Sequence, residues 1–472
     1  MTDFHYEPLN HLDASFLALE TPTSHMHVTG VALFDAAPLK NDEGGIDIER
    51  IKAHVHSKLQ YIPRYRQRLE WVPYDRRPVW VDDQHFNFDY HVRHTSLPRP
   101  GEDQQLKNLA GRIVSTKLDR NKPLWELWVV EGLSNDRFAI IAKIHHCMID
   151  GLSGVDLTTI LLNVAPESTI GEASEWTPRP APTPTQLAVA EAARLTRRVV
   201  DGFTNAGEMI KEGKAVTDRA LDKTSAVLNS LRSGWLTAST KTPLNPEIGS
   251  NRRFTWTEMV LDEVKTVKNS LGGSVNDVVL ATTSGAVRRF LIEHRGFDPA
   301  DAEFRAMNPV STRSPGQQSP MGNQVSMWLV DLHISEPDPS ARYEAIRATT
   351  SELKRSNHAL GAATLVELSS GTPMTLLSLA SRFVGPRIRP FNMTVTNIPG
   401  PQFPMYLLES QMIANYPMVP LWNQHGIGVA LFSYDGRLLW GIQADYDTLP
   451  DSDDFVSALH TSFQELRELA AA

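Results

Sequence analysis

An apolar run, Phe138 to Ile144, ends directly in His145-His146-Cys147-Met148-Ile149-Asp150-Gly151 and then gives way to a helix-like segment, roughly Ser153 to Val164. A strand that turns sharply into a helix at a histidine pair restricts the fold more than any other stretch. It calls for a buried sheet whose strand end opens on a cleft. Side chains alternate along a strand, so His145 and His146 are expected to point opposite ways, one into the cleft and one into packing. Asp150 can bend back over the turn and hold a ring in one tautomer, and Gly151 lets the backbone turn without a Cβ clash. Three other uses of these residues stay open. A strand histidine can be a satisfied core residue. His, His and Asp suit a metal ion, although adjacent strand histidines diverge and no second His/Cys cluster supplies further ligands. Cys147, the sole cysteine, is a nucleophile candidate, but it is expected to face away from His146.

The chain around this junction is long enough for two or three domains, at 472 residues, 41% hydrophobic and 21% charged. A net charge of -9 argues against non-specific nucleic-acid binding, which needs a basic face. One cysteine excludes an intramolecular disulfide and suits a reducing cytoplasm. The first residues show neither the charged nor the apolar region of a signal peptide. No run reaches the ~18 apolar residues needed to span a bilayer. A cytoplasmic protein is expected, with any contact to the inner membrane or to lipid droplets peripheral.

Composition divides the chain into 1–165, a segment 166–250, and 251–472. In the first part Val28 to Phe34 reads as a strand. Ile51, Val55 and Leu59 make a helical stripe, and Leu106, Leu109, Ile113 and Lys117 make another. Trp125 to Leu133 and Phe138 to His146 read as a hairpin. Thr177 to Thr185 is a proline-rich linker leading into Gln186 to Leu236, one or two charged helices that either pack on the body, the favoured reading, or offer a basic amphipathic surface to lipid or a partner. In the last part Val264, Val267 and Leu271 mark a helix ending at Gly272-Gly273. Ser274 to Asp277 then has capping-box form ahead of a helix through Arg289. Strands follow at Phe304 to Val310, Val325 to Ile334 and Met393 to Ile398, and helices at Ala341 to Ser356 and Val366 to Phe383. A hairpin turns at Asp435-Gly436, and Asp453 to Leu469 is an amphipathic helix. Each half thus mixes strands and helices, and a mixed α/β fold is expected.

The His-His-x-x-x-Asp-Gly stretch, with Leu12 to Phe16, Met26-His27-Val28, Pro123-Leu124-Trp125, Asn276-Asp277, Pro309 to Arg313, Gly322-Asn323-Gln324, Asn397 to Pro401 and Ser433 to Gly436, resembles the bacterial wax ester synthase/diacylglycerol acyltransferase family over nearly the whole length. The triacylglycerol synthases of actinobacteria are similar in this respect. The resemblance implies two chloramphenicol-acetyltransferase-like domains with the active site in a tunnel between them. It implies acyl-CoA as co-substrate, a diacylglycerol or long-chain alcohol as acceptor, and no metal or redox cofactor. His146 would be the general base, with His145, Asp150 and Gly151 shaping the motif. Asn276, at a helix start, would help bind the oxyanion or a substrate hydroxyl. Asp277, Gly322, Asn323 and Gln324 would line the substrate site. The same histidine motif also occurs in condensation domains that use carrier-bound donors. A lipid-binding protein without catalysis is the remaining alternative.

Overall fold

The computed structural model describes residues 4–74, 76–148, 160–194, 196–197, 237–311, 325–355 and 389–472. Asp150, Gly151, Arg313, Gly322, Asn323 and Gln324 lie outside the described residues. So do most of the expected helix Ser153 to Val164, the expected helix Val366 to Phe383, and residues 198–236.

The strands of the first part are β1 (Glu7–Pro8), β2 (His27–Asp35), β3 (Gln67–Trp71), β4 (Pro78–Asp82), β5 (Val92–Ser96), β6 (Trp125–Leu133) and β7 (Arg137–His145). After the linker come β8 (Arg252–Val260), β9 (Arg305–Ser311), β10 (Val325–Asp331), β11 (Met393–Pro399), β12 (Tyr406–Leu407), β13 (Ser410–Met418), β14 (Ile427–Tyr434) and β15 (Arg437–Asp445). They form a small sheet β1-β4-β3 and two six-stranded sheets, β12-β13-β2-β7-β6-β5 and β10-β9-β11-β14-β15-β8. Both large sheets are mixed: β5 runs parallel to β6, and β11 parallel to β9 and β14. The α/β class is as expected.

β7 is buried along nearly its whole length, which is why it reads as a continuous apolar run. The helix Asp103–Ser115 buries Leu106, Ala110 and Ile113 against this sheet. On the second sheet the helix Val275–Arg295 is fixed by the expected capping box. Ser274 Oγ accepts from the Asp277 N–H, and the Asp277 carboxylate accepts from the Ser274 N–H at 2.7 Å.

The boundary near residue 251 is crossed by two strands, β12 and β13. β13 belongs by position to the last part, yet it pairs antiparallel with β2 and covers the outer edge of the first sheet. β14 and β15 pack against it. Tyr434 donates its hydroxyl to the Met412 carbonyl at 2.9 Å, and the Met405 N–H donates to that hydroxyl. Two glycines let the units close on one another. A Cβ on Gly441 would lie 1.8 Å from the Pro417 carbonyl oxygen, and one on Gly111 would lie 2.8 Å from that of Arg252.

The proline-rich linker is strapped to the first unit. The Pro180 carbonyl accepts from the His5 N–H, and Arg179 grips Asp82 through Nε and a terminal nitrogen at 2.9 and 2.8 Å. Burial opposes the charge on Asp82, but Arg179 and Gln67 hold its carboxyl at about 2. Residues 184–194 are helical, and Arg194 is paired with the buried Glu191 carboxylate at 2.8 Å.

Candidate active site

Register assembles the site. His145 lies opposite His27, and Lys143 lies opposite Thr29 on β2 and Glu126 on β6. Paired residues of an antiparallel ladder share a face, so these side chains gather beneath the helix Asp103–Ser115. An ammonium buried there is costly unless it is satisfied. Lys143 Nζ donates to the Ile113 and Thr116 carbonyls and stands 3.6 Å from Glu126. Burial still brings it down to about 8.

The strand stops at His145. His146–Met148 form a single 3-10 turn, so the two rings are separated by a turn of the backbone rather than by strand alternation alone. The His146 N–H donates to the Met26 carbonyl at 2.7 Å. His145 Nδ1 accepts from the Cys147 N–H at 3.2 Å, with Cys147 Sγ 3.0 Å away. The proton therefore resides on Nε2, which faces Glu20 Oε1 at 3.8 Å. Burial lowers His145 to about 3, so it is neutral at pH 7.

Glu20 is the residue that sequence reasoning missed. Its carboxylate is 1% exposed and lies between two groups of partners. Oε2 accepts from Arg120 and Lys117, the latter at 3.1 Å. Oε1 faces the Nε2 atoms of His145 and His27, at 3.8 and 3.9 Å. Burial opposes its charge, but His145, Arg120 and Lys117 together hold the carboxyl below its usual range. Nothing local marks Glu20 as buried. It follows the recognised Leu12 to Phe16 segment by four residues, and that proximity was the available signal.

His146 is partly accessible. Phe16 stacks on its ring at 3.8 Å between centroids and 23° between planes, which sets the ring's orientation. Nδ1 is buried and has no hydrogen-bond partner among the described residues. Burial lowers the ring to about 4, so it too is neutral and able to accept a proton. The opening segment Leu12 to Phe16 and the stretch Met26-His27 thus converge on the histidine pair, through Phe16 stacking, the Met26 carbonyl and His27. Cys147 is buried, and burial pushes its thiol well above the usual range, which leaves no thiolate for nucleophilic attack.

On the second unit Asn276 occupies the first turn of its helix and exchanges amide hydrogen bonds with Asn308 of β9, at 3.3 and 3.5 Å. Asp277 was expected to touch substrate. Its carboxylate is instead buried and spent on Ser274 and on the Thr350 hydroxyl, which donates at 2.6 Å. Among the described residues no hydrogen bond or ring contact joins Asn276 to His146. A surface group of His294, Asp451 and Asp454 has ligand-like spacing, at the far end of the helix that begins beside Asn276. No helix among the described residues is long and apolar enough to cross a membrane.

Comparison with known proteins fits this arrangement. The chain is 30% identical over 468 residues, 96% of its length and 89% of the relative's, to a Mycobacterium tuberculosis protein whose name calls it a diacylglycerol O-acyltransferase. Its fold is similar to that of a wax ester synthase/diacylglycerol acyltransferase from Marinobacter aquaeolei VT8, with a TM-score of 0.69 at 24% identity, covering 98% of this chain and 100% of that one. It is also similar to the starter condensation domain of rhizomide synthetase, with a TM-score of 0.57 at 11% identity over 99% and 95% of the two chains. Residues 9–279 match the wax ester synthase/diacylglycerol acyltransferase catalytic domain and residues 321–467 match the C-terminal domain of the same enzymes, so the chain belongs to the wax ester synthase/diacylglycerol acyltransferase family.

Proposed function

We propose that this acyltransferase moves a long-chain fatty acyl group from acyl-CoA to diacylglycerol, with long-chain alcohols as a second class of acceptor. The names of the mycobacterial relatives favour diacylglycerol. One observation carries the reading: a neutral, partly accessible imidazole at His146, clamped by Phe16.

His146 takes the acceptor's hydroxyl proton as the oxygen attacks the thioester carbonyl. The tetrahedral oxyanion is met by a donor at the start of the helix Val275–Arg295, the Asn276 amide or a backbone N–H. Collapse breaks the carbon–sulfur bond. The imidazolium returns its proton to the departing thiolate, and a ring of low pKa releases it readily. His145 and Glu20 do not touch substrate; they hold the turn that carries His146. Asp150, Gly151, Gly322, Asn323 and Gln324 keep the roles that the family motif assigns them. The reaction needs a water-poor tunnel between the units, because water would otherwise hydrolyse the thioester. Labelled palmitoyl-CoA offered with dioleoylglycerol and with hexadecanol tests the reading. Labelled triacylglycerol is expected. Absence of ester from both acceptors would overturn it.

A further inference from the structure

The seam between the units holds a cavity of about 680 Å³ that the chemistry above does not use. One wall is the helix Asp103–Ser115, with Lys107 and Arg112. The other is the start of β8, with Arg252 and Arg253, and Tyr446 stands at the rim. Four cations line it without a carboxylate, in a chain of net charge -9. Arg252 is committed: Asp445 stands 3.8 Å away, and the guanidinium donates to the Thr23 and Gly249 carbonyls.

The other three cations have no ion pair or hydrogen bond among the described residues. Lys107 lies 4.8 Å from the centre of the Trp256 ring, and Arg253 lies 4.2 Å from that of Tyr446. Arg253 Nε is buried without a partner. Basic residues late in a helix often serve its free carbonyls. Here several of those carbonyls are already taken. Ser115 and Thr116 hydroxyls take those of Gly111 and Arg112, and Lys143 takes those of Ile113 and Thr116. Lys107 and Arg112 are left for something in the cavity. Three unpaired cations suit phosphate groups. An aromatic ring that is 47% exposed and backed by a guanidinium suits a purine face. The cavity is also linked to the site through the chain. Arg252 holds the Thr23 carbonyl, three residues before the Met26 carbonyl that receives the His146 N–H.

We infer that this seam cavity binds the phosphorylated adenosine end of the acyl-CoA donor, with phosphates on Lys107, Arg112 and Arg253 and the base on Tyr446. The inference rests on acyl-CoA being the donor. A palmitoyl thioester of pantetheine, which lacks the nucleotide, separates the two ideas. Wild-type protein should prefer palmitoyl-CoA to palmitoyl-pantetheine in kcat/KM. The triple variant Lys107→Gln, Arg112→Gln, Arg253→Gln should cut that preference at least about tenfold, the loss of one charge-assisted hydrogen bond or more. Adenosine 3′,5′-bisphosphate should compete with palmitoyl-CoA in the wild type and not in the variant. An unchanged preference in a variant that still melts cooperatively would overturn the inference and leave the donor reading standing. An unchanged preference with lost binding to phosphatidylglycerol vesicles would overturn it in favour of a lipid headgroup. If neither donor yields ester, the donor reading falls. Calorimetry with the bisphosphate then decides the cavity by itself: binding lost in the variant supports it, and no binding to wild type overturns it.

Discussion

Beneath β7 the first unit buries groups that carry or exchange protons: Glu20, His27, Glu126, Lys143 and His145. At the matching depth the second unit buries mostly neutral ones. Thr283 donates to its own helix at Val279, Ser284 donates to the Leu332 carbonyl, and the Asn308 and Asn392 amides donate to the Val395 and Thr240 carbonyls. Amides and hydroxyls bonded to carbonyls rigidify a core without responding to pH. Charges in such a place cost several kcal/mol each unless partnered, and they answer to protons. The two units have similar mixed sheets, so the contrast is one of role. In the proposed reaction one handles a proton, and the other supplies a wall and an amide. The second unit has exceptions: the buried carboxylates of Asp277 and Asp445, and His425, caught between the Asn423 and Phe391 carbonyls and lowered by burial to about 4.

The contrast can be broken most forcefully at the histidine pair. His146→Ala should lower turnover by about 100- to 10,000-fold, the usual contribution of a positioned general base. His145→Ala should cost less, and partly through stability. The reverse ranking in steady-state assays would exchange the two roles.

Next in size is the buried carboxylate. Glu20→Gln should destabilise by about 2 kcal/mol, because it breaks a buried pair whose cations can still reach water. Thr283→Val, its neutral counterpart, should cost about 1 kcal/mol. Equal losses in urea titrations would erase the distinction between the units.

Acid should weaken the fold through the neutral histidines. An unfolded histidine titrates near 6.5, whereas burial lowers His91 and His146 to about 4 and His145 to about 3. Their stabilising contribution is complete above pH 6.5 and is lost as pH falls through the folded values, at ~1.4 kcal/mol per pH unit for each fully buried ring. Stability that stays level from pH 7 to 4.5 would contradict neutral rings. Turnover per folded molecule, by contrast, should hold down to about pH 5, because His146 stays neutral there.

The smallest effect is expected at the thiol. Cys147→Ser should stay within a few-fold of wild-type activity, and EDTA should leave the rate unchanged. Loss in EDTA that zinc reverses would sink the metal-free mechanism.

Much of this was legible in sequence where local chemistry and period agreed. The β14–β15 hairpin turns at Asp435-Gly436, both with positive φ, and the Ser274 capping box fixes a helix start. The histidine pair stands at the end of the buried strand read from its apolar run, and Trp125 of the Pro-Leu-Trp motif is fully buried. β13 escaped notice although its burial alternates cleanly. Its outward positions are mixed, it contains Pro417, and its partner β2 lies almost the whole chain away. The proline is tolerated because β12 pairs only with residues 410 and 411, so no neighbouring strand of the sheet pairs with Pro417 on the side away from β2. Glu20 was illegible for a different reason. A carboxylate's burial is decided by what folds over it, and here that is Lys117, Arg120 and two histidines from other strands.

During synthesis β2 emerges early, while the strand that shields its outer edge, β13, is made only after most of the chain has left the ribosome. Until then the nascent first unit displays an open row of backbone donors and acceptors, a template for mispairing with another chain. The edge of the first sheet is thus completed only by the second half of the chain. Residues 410–418 act as a topological clasp: the sheet of the second unit and the histidine turn of the first are committed to one another in the same late step.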